Sequence, residues 1–230
     1  MLIVNCSMSV KVILFDFDGT LADTLTAIVK ISNSLAGEFG YQPTSAEKLE
    51  QVRHLSSREI IKQSGISRFR IPFLLKKVQK LLREDIQSLT PIPGLIDVLN
   101  DLKSEGYQLG ILTSNSAENV NLFLETNSWV KLFDFVDSGS PIFGKEKVIR
   151  KFLKKHNLNP ADVIYVGDET RDIEAAKQNN IKVVAVSWGF NYKEVLAQYQ
   201  PDFLIDDPQE LSELVSNLEQ SKVKSKVICY

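Results

Sequence analysis

The chain has 230 residues, 27 Lys and Arg against 29 Asp and Glu, a net charge of −2 and 43% hydrophobic residues. That content supplies a core and excludes intrinsic disorder. The near-neutral balance argues against a dedicated nucleic-acid binder, whose phosphate contacts need a basic face.

From the N-terminus, residues 1–10 are mildly apolar but too short for a secretory leader. Leu2-Ile3-Val4 precedes Cys6 without the basic leader that lipidation of that cysteine would need. Met8 offers a second start just before the first strand. The two cysteines, Cys6 and Cys229, lie near opposite ends, so neither a disulfide framework nor a zinc site is expected, and a reducing, cytoplasmic setting is. No run approaches the roughly 18 apolar residues of a membrane span. Length predicts about one to two domains.

Five short apolar runs, 10–15, 108–112, 132–136, 163–166 and 182–186, predict strands buried on both faces, as in a parallel sheet. Segments of helical spacing lie between most of them: 94–105 after Pro93, 115–125, 148–156 and the short 173–179. Residues 202–205 predict an edge strand and 208–218 a closing helix, while 220–230 are polar and expected to fray. This alternation predicts an α/β fold with right-handed crossovers. Residues 22–90 break it. Their apolar positions (Ile28, Ile31, Leu35; Leu49, Val52; Ile60, Ile61; Leu74, Leu75, Val78, Leu81, Leu82, Ile86) are helical, punctuated by Pro43, Gly65 and Pro72. A helical unit of 22–90 inserted into a core of 1–21 and 91–230 is therefore expected, with no internal repeat.

The strongest chemical signal ends the first strand. Asp16-Phe17-Asp18-Gly19-Thr20 sets two carboxylates two residues apart, which share a face in extended chain. Ligands of open α/β sheets bind beyond the carboxyl ends of the strands. A calcium loop would need further oxygen ligands and a Glu at its twelfth position, and a helix rather than a strand before it.

Asp16-Phe17-Asp18-Gly19-Thr20, with Leu21, Asp23 and Thr24, resembles the first motif of the haloacid dehalogenase superfamily. Three more follow in order. Ile111-Leu112-Thr113-Ser114-Asn115 resembles the second, Lys145 in Phe143-Gly144-Lys145 the third, and Gly167-Asp168-Glu169-Thr170-Arg171-Asp172 the fourth. The resemblance spans essentially the whole chain. It implies a Rossmann-like parallel sheet core with an inserted small α-helical cap.

The resemblance also implies a site, and the chemistry of the residues agrees with it. Asp16 is expected as the nucleophile, forming an aspartyl-phosphate. Asp18 is expected as the general acid/base. Mg²⁺ is expected on Asp16, the Asp18 carbonyl and Asp168, with Glu169 and Asp172 orienting Asp168 or a metal-bound water. The plainer reading of those two is as acids favoured at a helix N-terminus. Thr113, Ser114 and Asn115 are expected to meet the phosphate, although Thr113 could instead cap the next helix. Lys145 is expected to offset the charge of Asp16 and the phosphate. Lys147 competes for that role, while Lys151, Lys154 and Lys155 read as a solvated helix face.

Asp18 and Asp168 favour phosphoester over carbon–halogen chemistry, because the family's dehalogenases need neither. A small soluble phosphomonoester is the expected partner, 2-phosphoglycolate among the candidates. The alternatives are a phosphomutase of the same fold and a non-catalytic binding protein. No nucleic-acid or membrane partner is expected, and the state is monomer or homodimer. The helical insert matches the cap of phosphoglycolate phosphatase-like members, with Arg53 as its leading substrate contact. His54 is not assigned a role, and His156 reads as a solvated surface residue. Trp188 and Phe190 are expected to pack the sheet edge, with Gly189 between them for its backbone angle.

Overall fold

The structure is a computed structural model that describes residues 10–138 and 144–227, with side chains through residue 218. The expectations for Cys6, Met8, Phe143 and Cys229 lie outside the described residues. Six parallel strands form one sheet in the order β3-β2-β1-β4-β5-β6. They are β1 (Val12–Phe15), β2 (Gln108–Leu112), β3 (Phe135–Asp137), β4 (Val163–Gly167), β5 (Lys182–Val186) and β6 (Phe203–Ile205). The edge strand expected at 202–205 is β6. The third strand begins later than its apolar run suggested, because 130–132 turn as a short 3₁₀ segment after the buried Trp129.

Alternation along the strands builds a core on each face. Ile13, Phe15, Leu109, Ile111, Ile164, Val166, Val184 and Val186 pack one way. There they meet Val98 and Leu102 of α5 (Leu95–Ser104), Val120 and Phe123 of α6 (Ala117–Thr126), and Leu211 and Val215 of α10 (Gln209–Val227). Val12, Leu14, Leu112, Val163, Tyr165, Val183 and Ala185 pack the other way. They meet Ile149 and Phe152 of α7 (Lys145–Lys155), Ile173 and Ala176 of α8 (Thr170–Gln178), and Leu196 of α9 (Lys193–Gln198).

Between β1 and α5 lie only helices among the longer elements: α1 (Leu25–Phe39), α2 (Ala46–Val52), α3 (Ser57–Gln63) and α4 (Ile71–Asp85). α1 ends at Gly40, whose left-handed backbone (φ 76°) lets its N–H bond back to the Ala36 carbonyl. The chain leaves β1 for β2 and β3 on one side, then crosses to β4, β5 and β6 on the other. β1 and β4 therefore flank the point where strand order reverses, the expected position for a ligand crevice.

Candidate active site

Asp16 follows β1 directly. Its N–H donates to the Val166 carbonyl of β4 at 2.9 Å, so the ladder between the two strands carries its side chain to the crevice. Asp168 follows β4, and both carboxylates are 1% exposed. Thr20 Oγ1 donates to Asp168 Oδ1 at 2.8 Å, and the Phe190 N–H donates to Oδ2 at 2.7 Å. Two glycines leave room for this carboxylate: a Cβ on Gly19 (φ 74°) or on Gly189 would lie 2.2 or 2.3 Å from Asp168 Oδ2. Gly189 is thus required by close approach rather than by the backbone angle expected of it, since its φ is not positive.

Lys145 opens α7 and reaches inward. Its ammonium donates to Asp16 Oδ2 at 2.8 Å and to Asp172 Oδ1. Lys147, two residues on, is exposed. Asp172 Oδ2 accepts the Glu169 N–H at 3.1 Å, so this acid both holds the start of α8 and faces Lys145. Asp16, Asp168 and Asp172 each present an oxygen within 4.8 Å of the others.

The two carboxylates of the first motif differ in proton affinity. Burial disfavours ionisation of Asp16, but Lys145, Arg171 and the Phe17 amide outweigh it and hold its pKa below the usual carboxylate value. Asp18, half-buried, is pushed up to about 7 by desolvation and then by the Asp16 charge. Burial lifts Asp172 to about 6 although Lys145 pulls the other way. Burial, then Glu169, Asp172 and Asp16, raise Asp168 well above the ordinary range. Burial works against the Lys145 ammonium, yet Asp16 and Asp172 keep it protonated well above its usual pKa.

The second motif serves Asp18. Asn115 Nδ2 donates to both Asp18 oxygens, at 3.1 and 3.2 Å. Thr113 is fully buried and does not cap α6; that is done by Ser116, which accepts the Asn119 N–H. Thr113 Oγ1 instead accepts the Asn115 N–H at 3.0 Å, leaving its own hydroxyl proton for another acceptor. Ser114 borders the cavity beside Asp18, with its carbonyl held by Gln79.

Three expectations are displaced. Glu169 does not bond the Asp168 side chain: its carboxylate accepts from Ser57 of α3 at 2.7 Å and from Arg171. Arg53 does not border the cavity. Its Nε and NH2 groups donate to the carbonyls of Phe190 and Gly189 at 2.8 and 2.9 Å, and its NH1 to the Tyr192 hydroxyl at 3.2 Å, so the planar fork of donors is taken up by the loop after β5. His156 is half-buried, its ring packed against Phe135 and Phe152, rather than a fully solvated surface residue.

Arg171 is the residue that sequence reasoning passed over. It lies inside the fourth motif and its guanidinium influences Asp16, Asp18 and Asp172. A lone base among the motif's three acids, Asp168, Glu169 and Asp172, was the available signal. With every carboxyl ionised, Asp16, Asp18, Asp168, Glu169 and Asp172 would outnumber Lys145 and Arg171 by three charges, an excess that either protons, as on Asp18 and Asp168, or a bound cation would offset. The cluster's donors are all hard carboxylate oxygens, the chemistry of a hard divalent ion rather than a thiophilic one.

The family profile of the haloacid dehalogenase-like hydrolases matches residues 13–186. The chain belongs to that family. It is 41% identical over 208 residues to a phosphoglycolate phosphatase of Synechococcus elongatus, covering 90% of this chain and 98% of the relative. It is 25% identical to the pyrophosphatase PpaX of Bacillus cereus, over 93% of this chain and all of the relative. Among solved structures, a predicted phosphatase from Clostridium acetobutylicum shares the fold with a TM-score of 0.79 at 22% identity, covering 91% of this chain and 99% of that one. The chain is a hydrolase of the phosphatase type on a parallel α/β core, and no helix among its described residues is long and apolar enough to cross a membrane.

Proposed function

We propose that this hydrolase is a Mg²⁺-dependent phosphatase that cleaves a small soluble phosphomonoester in the cytoplasm through an aspartyl-phosphate. 2-Phosphoglycolate is one candidate, on the name of the 41% relative. The observation that carries the reading is the divergence of two neighbouring carboxylates, Asp16 held ionised and Asp18 raised to about 7. Environments that push two acids apart in this way assign a nucleophile and a proton carrier.

Asp16 attacks phosphorus, and the bond to the leaving oxygen breaks. Asp18 gives its proton to that oxygen, then takes one from the water that opens the aspartyl-phosphate. A pKa near 7 serves both transfers, and such catalysis contributes typically 10²–10⁴-fold. Asn115 aims Asp18. The Thr113 hydroxyl donates to a phosphate oxygen, Ser114 borders the leaving group, and Lys145 balances the phosphoryl charge. Asp16, the Asp18 carbonyl and Asp168 would hold Mg²⁺, with Asp172 behind them. When bound, the ion neutralises carboxylate and phosphate charge that would otherwise repel. Residues 22–90 serve as a cap over the core of 1–21 and 91–230, docked through Arg53 on Gly189 and Phe190.

Phosphate release tests this, measured over 2-phosphoglycolate, sugar phosphates and nucleotides with Mg²⁺ and with EDTA. Metal-dependent release from at least one ester is expected. Isomerisation of a sugar phosphate without release would instead make the chain a mutase.

A further inference from the structure

A cavity of about 580 Å³ opens onto Asp18, Asn115, Asp168 and Arg171. That is the volume of pockets that enclose whole drug-sized ligands, and far more than a glycolate group occupies. Thr113 and Lys145, assigned to the phosphoryl group, do not line it, whereas Asp18, assigned to the leaving oxygen, does. A phosphoryl group seated on Asp16 therefore directs its leaving group into this space.

The walls facing that leaving group are aliphatic and aromatic. Leu25 and Ile28 come from α1, Ile60 and Ile61 from α3, Leu75 from α4, and Phe190 from the loop after β5. Each is only half-buried, so the fold leaves this apolar surface uncovered in one concave place. Uncovered, contiguous apolar surface marks binding.

Groups that could hold a second anion are scarce. The Arg171 guanidinium lies at the acidic end of the cavity, one NH2 bonded to Glu169 and its charge answered by Asp16, Asp168 and Asp172, so its open Nε faces the phosphoryl end and not the aliphatic walls. The Gln79 amide is spent on the Ser114 carbonyl. Lys76 is the other cation of the lining and is exposed. A substrate carboxylate placed among the aliphatic walls would lose its hydration without a buried partner.

We propose that the cavity selects phosphomonoesters whose leaving group is apolar, an alkyl chain or an aromatic ring, over 2-phosphoglycolate. This rests on the phosphatase reading above. An apolar leaving group removes the half-buried side chains from water as it enters, and each methylene that does so fully adds about fourfold to binding. Because the group sits beside Asp18 when the bond breaks, that gain appears in kcat/KM.

The test is kcat/KM for phosphate release from ethyl, butyl, hexyl and octyl phosphate, with 2-phosphoglycolate alongside. A rise of about two- to fourfold per methylene is expected, with octyl phosphate surpassing 2-phosphoglycolate. A flat or falling series, or a preference for 2-phosphoglycolate, overturns the proposal while leaving the phosphatase reading intact. Release from none of the esters overturns both. Ile61→Asn is expected to lower the octyl-to-ethyl ratio about tenfold. The ratio is internal to one preparation, so partial loss of folded protein does not alter it. An unchanged ratio overturns the assignment of this wall to the leaving group.

Discussion

Lys145 Nζ lies 2.8 Å from Asp16 Oδ2, with side-chain exposures of 4% and 1%. The same ammonium also meets Asp172, so one cation balances two buried acids, one after β1 and one in the first turn of α8. Removing it strands both. Lys145→Ala is expected to lower phosphate release by about 10²–10³-fold and to reduce thermal stability, because a broken buried pair leaves charge without a partner. Steady-state rates and thermal melts of the two proteins check this.

Asp18 sets the expected pH profile. Transfer to the leaving oxygen needs its protonated form, so kcat/KM for an alkyl phosphate is expected to fall as pH rises above about 7. In Asp18→Asn that limb is expected to vanish, along with most of the rate. A limb that survives the substitution would assign it to another group.

The acid cluster also fixes how stability depends on pH and metal. Asp18, Asp168 and Asp172 have raised folded pKa values, so the folded chain binds their protons more tightly than the unfolded chain. Their contribution is fully present below the unfolded carboxylate value of about 4 and is lost as pH rises through each folded value, about 6 for Asp172 and about 7 for Asp18. Asp16, held low, works the opposite way: its contribution is present above about 4 and is lost as pH falls through its lowered value. Mg²⁺ competes with the protons of the raised acids. The gain in melting temperature on adding Mg²⁺ to EDTA-treated protein is therefore expected to grow between about pH 5 and pH 8. A gain that stays constant over that range contradicts this account.

Arg53 links the helical segment to Asp168 through the loop after β5. Its guanidinium holds the carbonyls of Gly189 and Phe190, and the Phe190 N–H holds Asp168 Oδ2. Asn191 Nδ2 adds bonds to the carbonyls of Arg53 and Leu55, both at 3.0 Å. Arg53→Ala is expected to cost about 1–3 kcal/mol of stability and to raise the Mg²⁺ concentration needed for half-saturation in calorimetry. Unchanged Mg²⁺ binding would confine Arg53 to structure.

What was legible in the sequence follows from where each signal comes. Strands β2 and β5 were readable to the residue because sheet burial on both faces writes a continuous apolar run. Asp16 and Asp168 were readable because strand ends point to the crevice. α9 was not, since it is six residues long and buries only Val195 and Leu196. Arg53 was assigned to a ligand because its partners are main-chain carbonyls of a distant loop, which have no sequence signature. Asn115 looked like a phosphate donor, and only folding shows that Asp18 occupies its amide.

The central claim is that Asp16 carries the phosphoryl group. It is tested most directly by acid-quenching the enzyme during turnover and measuring its mass after proteolysis, for wild type and Asp16→Asn. A phosphoryl adduct is expected on the peptide containing Asp16 in the wild type, absent from the variant together with Mg²⁺-dependent phosphate release. An Asp16→Asn protein that still turns over phosphoester, or an adduct on another residue, would contradict it.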